Sequence, residues 1–139
     1  MKKYTYLILF IIFIQTGCVS LKKNESPCTL TGEMTENVSG NGWSYYLNFT
    51  NNSSKTVKKA GFVLSVYNED GEPAFENDWI EFYVERIVEE GETIDFSYSL
   101  DECFEEMPEY AYMTDYFYAT KIEYTDGSVF EDPFGRYAE

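Results

Sequence analysis

From about residue 29 to residue 130 the chain repeats one pattern. A short run alternates apolar and polar side chains, and a cluster of Gly, Asn, Asp or Ser then interrupts it. Alternation with a period of two sends every second side chain to the same face, which suits a strand with one face in a core and the other toward water. The runs are 29–38, 43–50, 57–68, 79–87, 93–100 and 115–124, with a short return at 129–130. Within them Trp43, Tyr45, Leu47 and Phe49 share a face, as do Phe62, Leu64 and Val66, and Ile94, Phe96, Tyr98 and Leu100. Trp79, Glu81, Tyr83, Glu85 and Ile87 oppose Ile80, Phe82, Val84 and Arg86, so both faces of that strand are expected to be partly covered. Tyr116, Tyr118, Thr120, Ile122 and Tyr124 fall on one face of the 115–124 run. Residues 101–114 break the rhythm with Pro108 and many acids, and read as a loop with one helical turn near 102–106 that Asp101 would cap. Asp126-Gly127 reads as a hairpin turn, and Pro133 and Gly135 as the end of order. Six or seven short strands with no helical pattern predict an all-β sandwich; periodicity leaves a small barrel or partly open roll as the competing topology.

The N-terminus follows different rules. Lys2 and Lys3 precede an apolar run over 4–14, and Gln15, Thr16, Gly17 and Cys18 come next. A positive start, a greasy stretch and small residues describe a signal peptide, and the stretch falls short of the roughly 20 residues a bilayer crossing needs. Plain secretion or an uncleaved anchor would share these features. Cys18 directly after Gly17 resembles the lipobox of bacterial lipoproteins, with Gln15 standing where that motif usually has an aliphatic residue. The resemblance implies cleavage after residue 17, a lipid on Cys18, and a place in a bacterial envelope, on the outer membrane or the outer leaflet of the plasma membrane. Two or more acyl chains on one residue would hold the protein as a transmembrane helix does. Residues 18–27 then form a polar tether and 28–139 a single domain.

Without residues 1–17 the chain has 122 residues, 8 basic and 25 acidic side chains, and a formal charge of −17. Such a balance argues against nucleic acid or an anionic membrane surface as a partner in its own right, since both call for a positive footprint. Beside Cys18 there are two cysteines, Cys28 and Cys103. In an oxidising compartment they are candidates for a disulfide closing a loop of about 75 residues, worth roughly 4 kcal/mol on the loop-entropy argument. The alternative is two separate buried thiols.

Inside the domain three stretches stand out: 47–57 (LNFTNNSSKTV), 62–71 (FVLSVYNEDG) and 90–96 (EGETIDF). They resemble the small immunoglobulin-like domains of bacterial envelope lipoproteins grouped as FxLYD. That likeness implies an immunoglobulin-like sandwich with a binding or structural role and carries over no catalytic residue.

The chain has no histidine, which removes the commonest base near neutral pH and the commonest transition-metal ligand. No nucleophile motif or phosphate-cradling glycine pattern appears, so no cofactor and no catalysis are expected. Carboxylate hydrolysis would require a cleft holding two acids with opposed pKa shifts. Asp101, Glu102 and Glu105 are candidate calcium ligands, although their spacing is not that of an EF-hand loop. With 13 Tyr, 11 Phe and 2 Trp the chain is rich in aromatics. Tyr110, Tyr112, Tyr116 and Tyr118 lie close together beside the acidic loop and form a candidate patch for a protein or carbohydrate partner. The remaining aromatics suit a core and ordinary sheet faces. The five Asn-x-Ser/Thr sequons read as turn composition.

Overall fold

The structure, a computed structural model, describes residues 25–138. The leader, Cys18 and most of the tether lie outside the described residues. Seven strands follow in chain order: β1 (Cys28–Glu36), β2 (Trp43–Asn51), β3 (Val57–Tyr67), β4 (Ile80–Val88), β5 (Thr93–Ser99), β6 (Met113–Tyr124) and β7 (Val129–Glu131). They build two antiparallel sheets, ordered β1-β2-β5 and β4-β3-β6-β7. The two sheets face each other as a β-sandwich, and every expected strand is present within a few residues of its predicted ends.

The core is what the alternation demands. Tyr45, Leu47 and Phe49 of β2 meet Phe62, Leu64 and Val66 of β3, all at most 1 % exposed. Phe62 sits at the centre, its ring 6.0 Å from Phe49, 5.5 Å from Phe82 and 5.7 Å from Phe117. Gly32 of β1 is where a side chain has no room, because the buried Tyr45 ring lies directly over its Cα. An aromatic covering a strand glycine restores the burial that the glycine lacks.

The sandwich has two ends. At one, Cys28 of β1 pairs with Asn51 of β2. Asn51 is fully buried, and its side-chain nitrogen donates to the carbonyls of Lys55 (2.7 Å), Val88 (3.0 Å) and Glu89 (3.2 Å). Its carbonyl accepts from the Ser53 amide and hydroxyl. At the other end Trp43 donates from its indole nitrogen to Pro108 at 2.8 Å, which ties the irregular 100–112 loop to β2. Buried Leu100 and Phe75, with Phe104 stacked on Phe75, close that pole.

Several expectations need correction. Cys28 and Cys103 are free thiols. Cys103 donates its amide to Leu100, whose own amide bonds to Trp43. Cys28 lies opposite Asn51, the other end of the nine-residue β2. Eight steps of strand separate those ends by about 27 Å, far beyond the roughly 7 Å Cα limit for a bridge. Burial pushes the Cys28 thiol up to about 11, the nearby Ser26 hydroxyl opposing it. Burial and the charges of Glu102 and Asp101 raise the Cys103 thiol as well, but it is partly exposed, so in the folded protein a thiol reagent at mildly alkaline pH should modify Cys103 before Cys28, with both reacting after denaturation. Equal rates, or loss of two hydrogens in the oxidised mass, would contradict this arrangement.

The 102–106 segment forms turns and no helix. Asp101 acts on the neighbouring strand instead, accepting from the Trp43 amide (2.8 Å) and from Asn37 (3.1 Å). The tail does not end in disorder at Pro133. Asp132, 1 % exposed, takes the Tyr137 amide at 3.0 Å, and Gly135 packs against the Tyr118 ring. Burial pushes the Asp132 carboxyl up, yet the amides of Arg136, Tyr137 and Phe134 and the Arg136 charge outweigh it, so its pKa is lowered.

Finally, 116–124 is not one face. Phe62 pairs with Ala119 and Gly61 with Lys121, leaving Thr120 as the extra residue of a β-bulge. Tyr116 and Tyr118 therefore point outward, while Ile122 and Tyr124 are buried in the core. The Thr120 hydroxyl oxygen is left buried with no hydrogen-bond partner among the described residues.

Candidate functional site

The outer face of the four-stranded sheet collects aromatic side chains around a floor of small ones. β3 turns Gly61, Val63 and Ser65 outward, between Phe62, Leu64 and Val66 that face the core. Val63 pairs with Glu81 on one side and Tyr118 on the other; Ser65 pairs with Tyr116; Gly61 pairs with Tyr83. The Tyr83 ring lies over Gly61, since a β-carbon there would come within 2.7 Å of it, yet Tyr83 stays 50 % exposed. Trp79, just before β4, is 45 % exposed, and Ser65 donates to the Asp78 carbonyl beside it at 2.7 Å. The Tyr116 and Tyr118 rings are 6.0 Å apart.

Charged groups frame this face in pairs. Lys59 contacts Glu85 at 2.8 Å and lies 5.2 Å from the centre of the Tyr83 ring, and Lys121 contacts Glu123 at 3.0 Å. The Tyr83 hydroxyl donates to Glu81 at 2.7 Å. That hydrogen bond, then burial, raises the Tyr83 pKa, and the bond to Glu85 raises Lys59. Burial raises Tyr118, helped by Tyr116, Asp132 and Glu81. The face thus offers flat apolar rings, neutral phenols and fixed hydrogen-bonding groups.

The predicted tyrosine patch is divided. Tyr116 and Tyr118 belong to this face, whereas Tyr110 and Tyr112 lie together at the Trp43 pole, 5.9 Å apart. Tyr112 turns toward Phe104 at 6.0 Å, and its amide contacts the Met34 sulfur. Trp79 and Tyr83 were missing from the patch. Their shared strand face was legible, but that β3 places it beside Tyr116 and Tyr118 was not.

The Trp43 pole is strongly acidic. Glu69, Asp70, Glu72, Glu76 and Asp78 follow β3, and Asp101, Glu102, Glu105, Glu106 and Glu109 follow β5, with no basic residue in either loop. Tyr110 records the local field: burial raises its pKa, and so do the charges of Glu69, Asp70 and Glu109. The expected calcium site is not formed, as no group of three potential metal-ligating side chains occurs among the described residues. Asp101 already holds Trp43 and Asn37, while Glu102 and Glu105 are exposed. The described carboxyls with shifted pKa values, Glu123, Asp126 and Asp132, are all lowered, the direction opposite to that of a general acid.

An open groove of about 900 Å³ runs between β1 and the β6–β7 side, lined by Cys28, Leu30, Phe117, Phe130, Asp132 and Tyr137 among others. No protein-family model matches the sequence, and no curated protein or solved structure matches it either.

Proposed function

We propose that this protein is a bacterial envelope lipoprotein, anchored through lipid on Cys18, whose immunoglobulin-like sandwich is a non-catalytic binding or structural module. The observation that carries the reading is Cys18 directly behind Gly17, after a positive, apolar leader too short to cross a bilayer. No helix among the described residues is long and apolar enough to cross a membrane, so under this reading the acyl chains supply the attachment. The strand order 1-2-5 facing 4-3-6-7 is compatible with an immunoglobulin-like kinship. Mass spectrometry of the protein from membranes should find Cys18 as first residue with acyl chains attached. Cys18→Ser should move nearly all of the protein out of the membrane fraction. An unmodified Cys18, or a serine variant that stays in the membrane, would end this account.

A second reading has its own observation. Trp79, Tyr83, Tyr116 and Tyr118 share one outer sheet face, and rings of this kind stack on the apolar faces of sugars while phenols and carboxylates meet the hydroxyls. If the module binds carbohydrate, the double variant Trp79→Ala/Tyr83→Ala should weaken retention on a polysaccharide gel by about tenfold or more, with a melting temperature lowered by only a few degrees. Migration of the wild-type protein unaltered by any envelope or host polysaccharide would remove this reading.

A further inference from the structure

We infer that the domain stands on an anionic bilayer with its Cys28 end toward the lipid and its acidic Trp43 pole facing away. This orientation rests on the proposed anchor at Cys18. The tether alone does not impose it. The ten residues from Cys18 to Cys28 reach at most about 36 Å when fully extended, comparable to the length of the sandwich, so the domain could tip over on its leash.

Charge decides between the two attitudes. The described residues hold six basic side chains; Lys55, Lys58, Lys59, Arg86 and Lys121 sit in the half of the sandwich nearer Cys28, and Arg136 lines the groove that Cys28 also lines. The ion pairs Lys55–Asp126, Lys58–Glu123 and Lys59–Glu85 lie there too. Ten carboxylates share this half, Glu89, Glu90 and Glu92 among them, so it is net negative by four, far less than the opposite pole. The two acidic loops of the opposite pole hold ten carboxylates and no cation. An anionic surface repels charges only within about a Debye length, roughly 8 Å at physiological salt. With the Cys28 end down, the acidic loops stand about 27 Å from that end, the length of β2, and so well beyond that layer. Inverted, they would enter it. Lys22 and Lys23 stand between Cys18 and Cys28 in the sequence and give the tether positive charge. The exposed Val38, Met107 and Tyr110 are thereby turned toward solvent.

The test uses the full lipidated protein in vesicles of neutral phosphatidylcholine, alone or with about a third anionic phosphatidylglycerol. In a Cys103→Ser background, a fluorophore is placed at Val38→Cys or at Ser54→Cys, and energy transfer to a dye-labelled lipid is measured. Both positions are exposed and lie at opposite ends. On anionic vesicles the Ser54 position should transfer several-fold more strongly than the Val38 position. The contrast should shrink in high salt, on neutral vesicles, and in Lys55→Glu/Lys58→Glu/Lys59→Glu that retains its sheet spectrum. Flotation with equal transfer from both positions on anionic vesicles overturns the orientation alone. Failure to float, with no acyl mass on Cys18, overturns the anchor and the orientation together.

Discussion

Asn51→Asp is expected to leave the domain without a cooperative folded state at room temperature, seen as loss of the near-ultraviolet circular dichroism signal and of a urea transition. The residue is 0 % exposed, and its amide nitrogen serves three carbonyls from the 51–56 loop, β4 and the turn after β4. The aspartate exchanges that donor for a second acceptor oxygen. Three carbonyls lose a donor, those of Lys55 and Glu89 keeping only the Ser53 hydroxyl and the Glu92 amide, and a buried charge faces them without a cation. Each unsatisfied buried group costs about 1–3 kcal/mol, and a buried unpaired charge costs several more. The total reaches the roughly 5–15 kcal/mol that holds a domain of this size together. Asn51→Ala removes the donor but adds no charge, and should unfold reversibly with a loss of roughly 3 kcal/mol. A melting curve of Asn51→Asp overlapping the wild type would show that this network does not matter.

Phe62→Ala should be the most damaging of the purely apolar substitutions, lowering stability by about 3–5 kcal/mol in equilibrium urea unfolding. Its ring is the one that Phe49 of the facing sheet and Phe82 and Phe117 of its own sheet all meet. Removing it opens a cavity on the central strand, where both neighbouring strands would have to move to refill it. Tyr83→Ala provides the contrast. That ring is half exposed on the outer face, and its loss should cost about 1 kcal/mol or less. A Phe62→Ala loss as small as that of Tyr83→Ala would mean that the two sheets are not held together at this contact.

The strands and the inward side of β2, β3 and β5 were legible because period-two alternation is a local property. Trp43 to Phe49 and Phe62 to Val66 declare a buried face without reference to any neighbour. Turns were legible for a similar reason: Gly127, with φ of 84°, closes the β6–β7 hairpin in a conformation that a side chain disfavours. Acidity, the leader and Cys18 also belong to the linear chain.

What the chain alone did not contain were relations between strands. The bulge at Thr120 exists only in the register of β6 against β3, and it sends Tyr118 out and Ile122 in, although the two share a parity along the sequence. Cys28 and Cys103 seemed suited to each other until pairing put them at opposite ends of β2. The aromatic face draws on residues before and within β4 and on β6, brought together because β3 lies between them. The separation of charge into two poles has the same origin: loops distant in sequence converge wherever antiparallel strands turn. Local stereochemistry sets which way a side chain points along its own strand, while hydrogen-bonded pairing across the sheets sets which other side chains it meets.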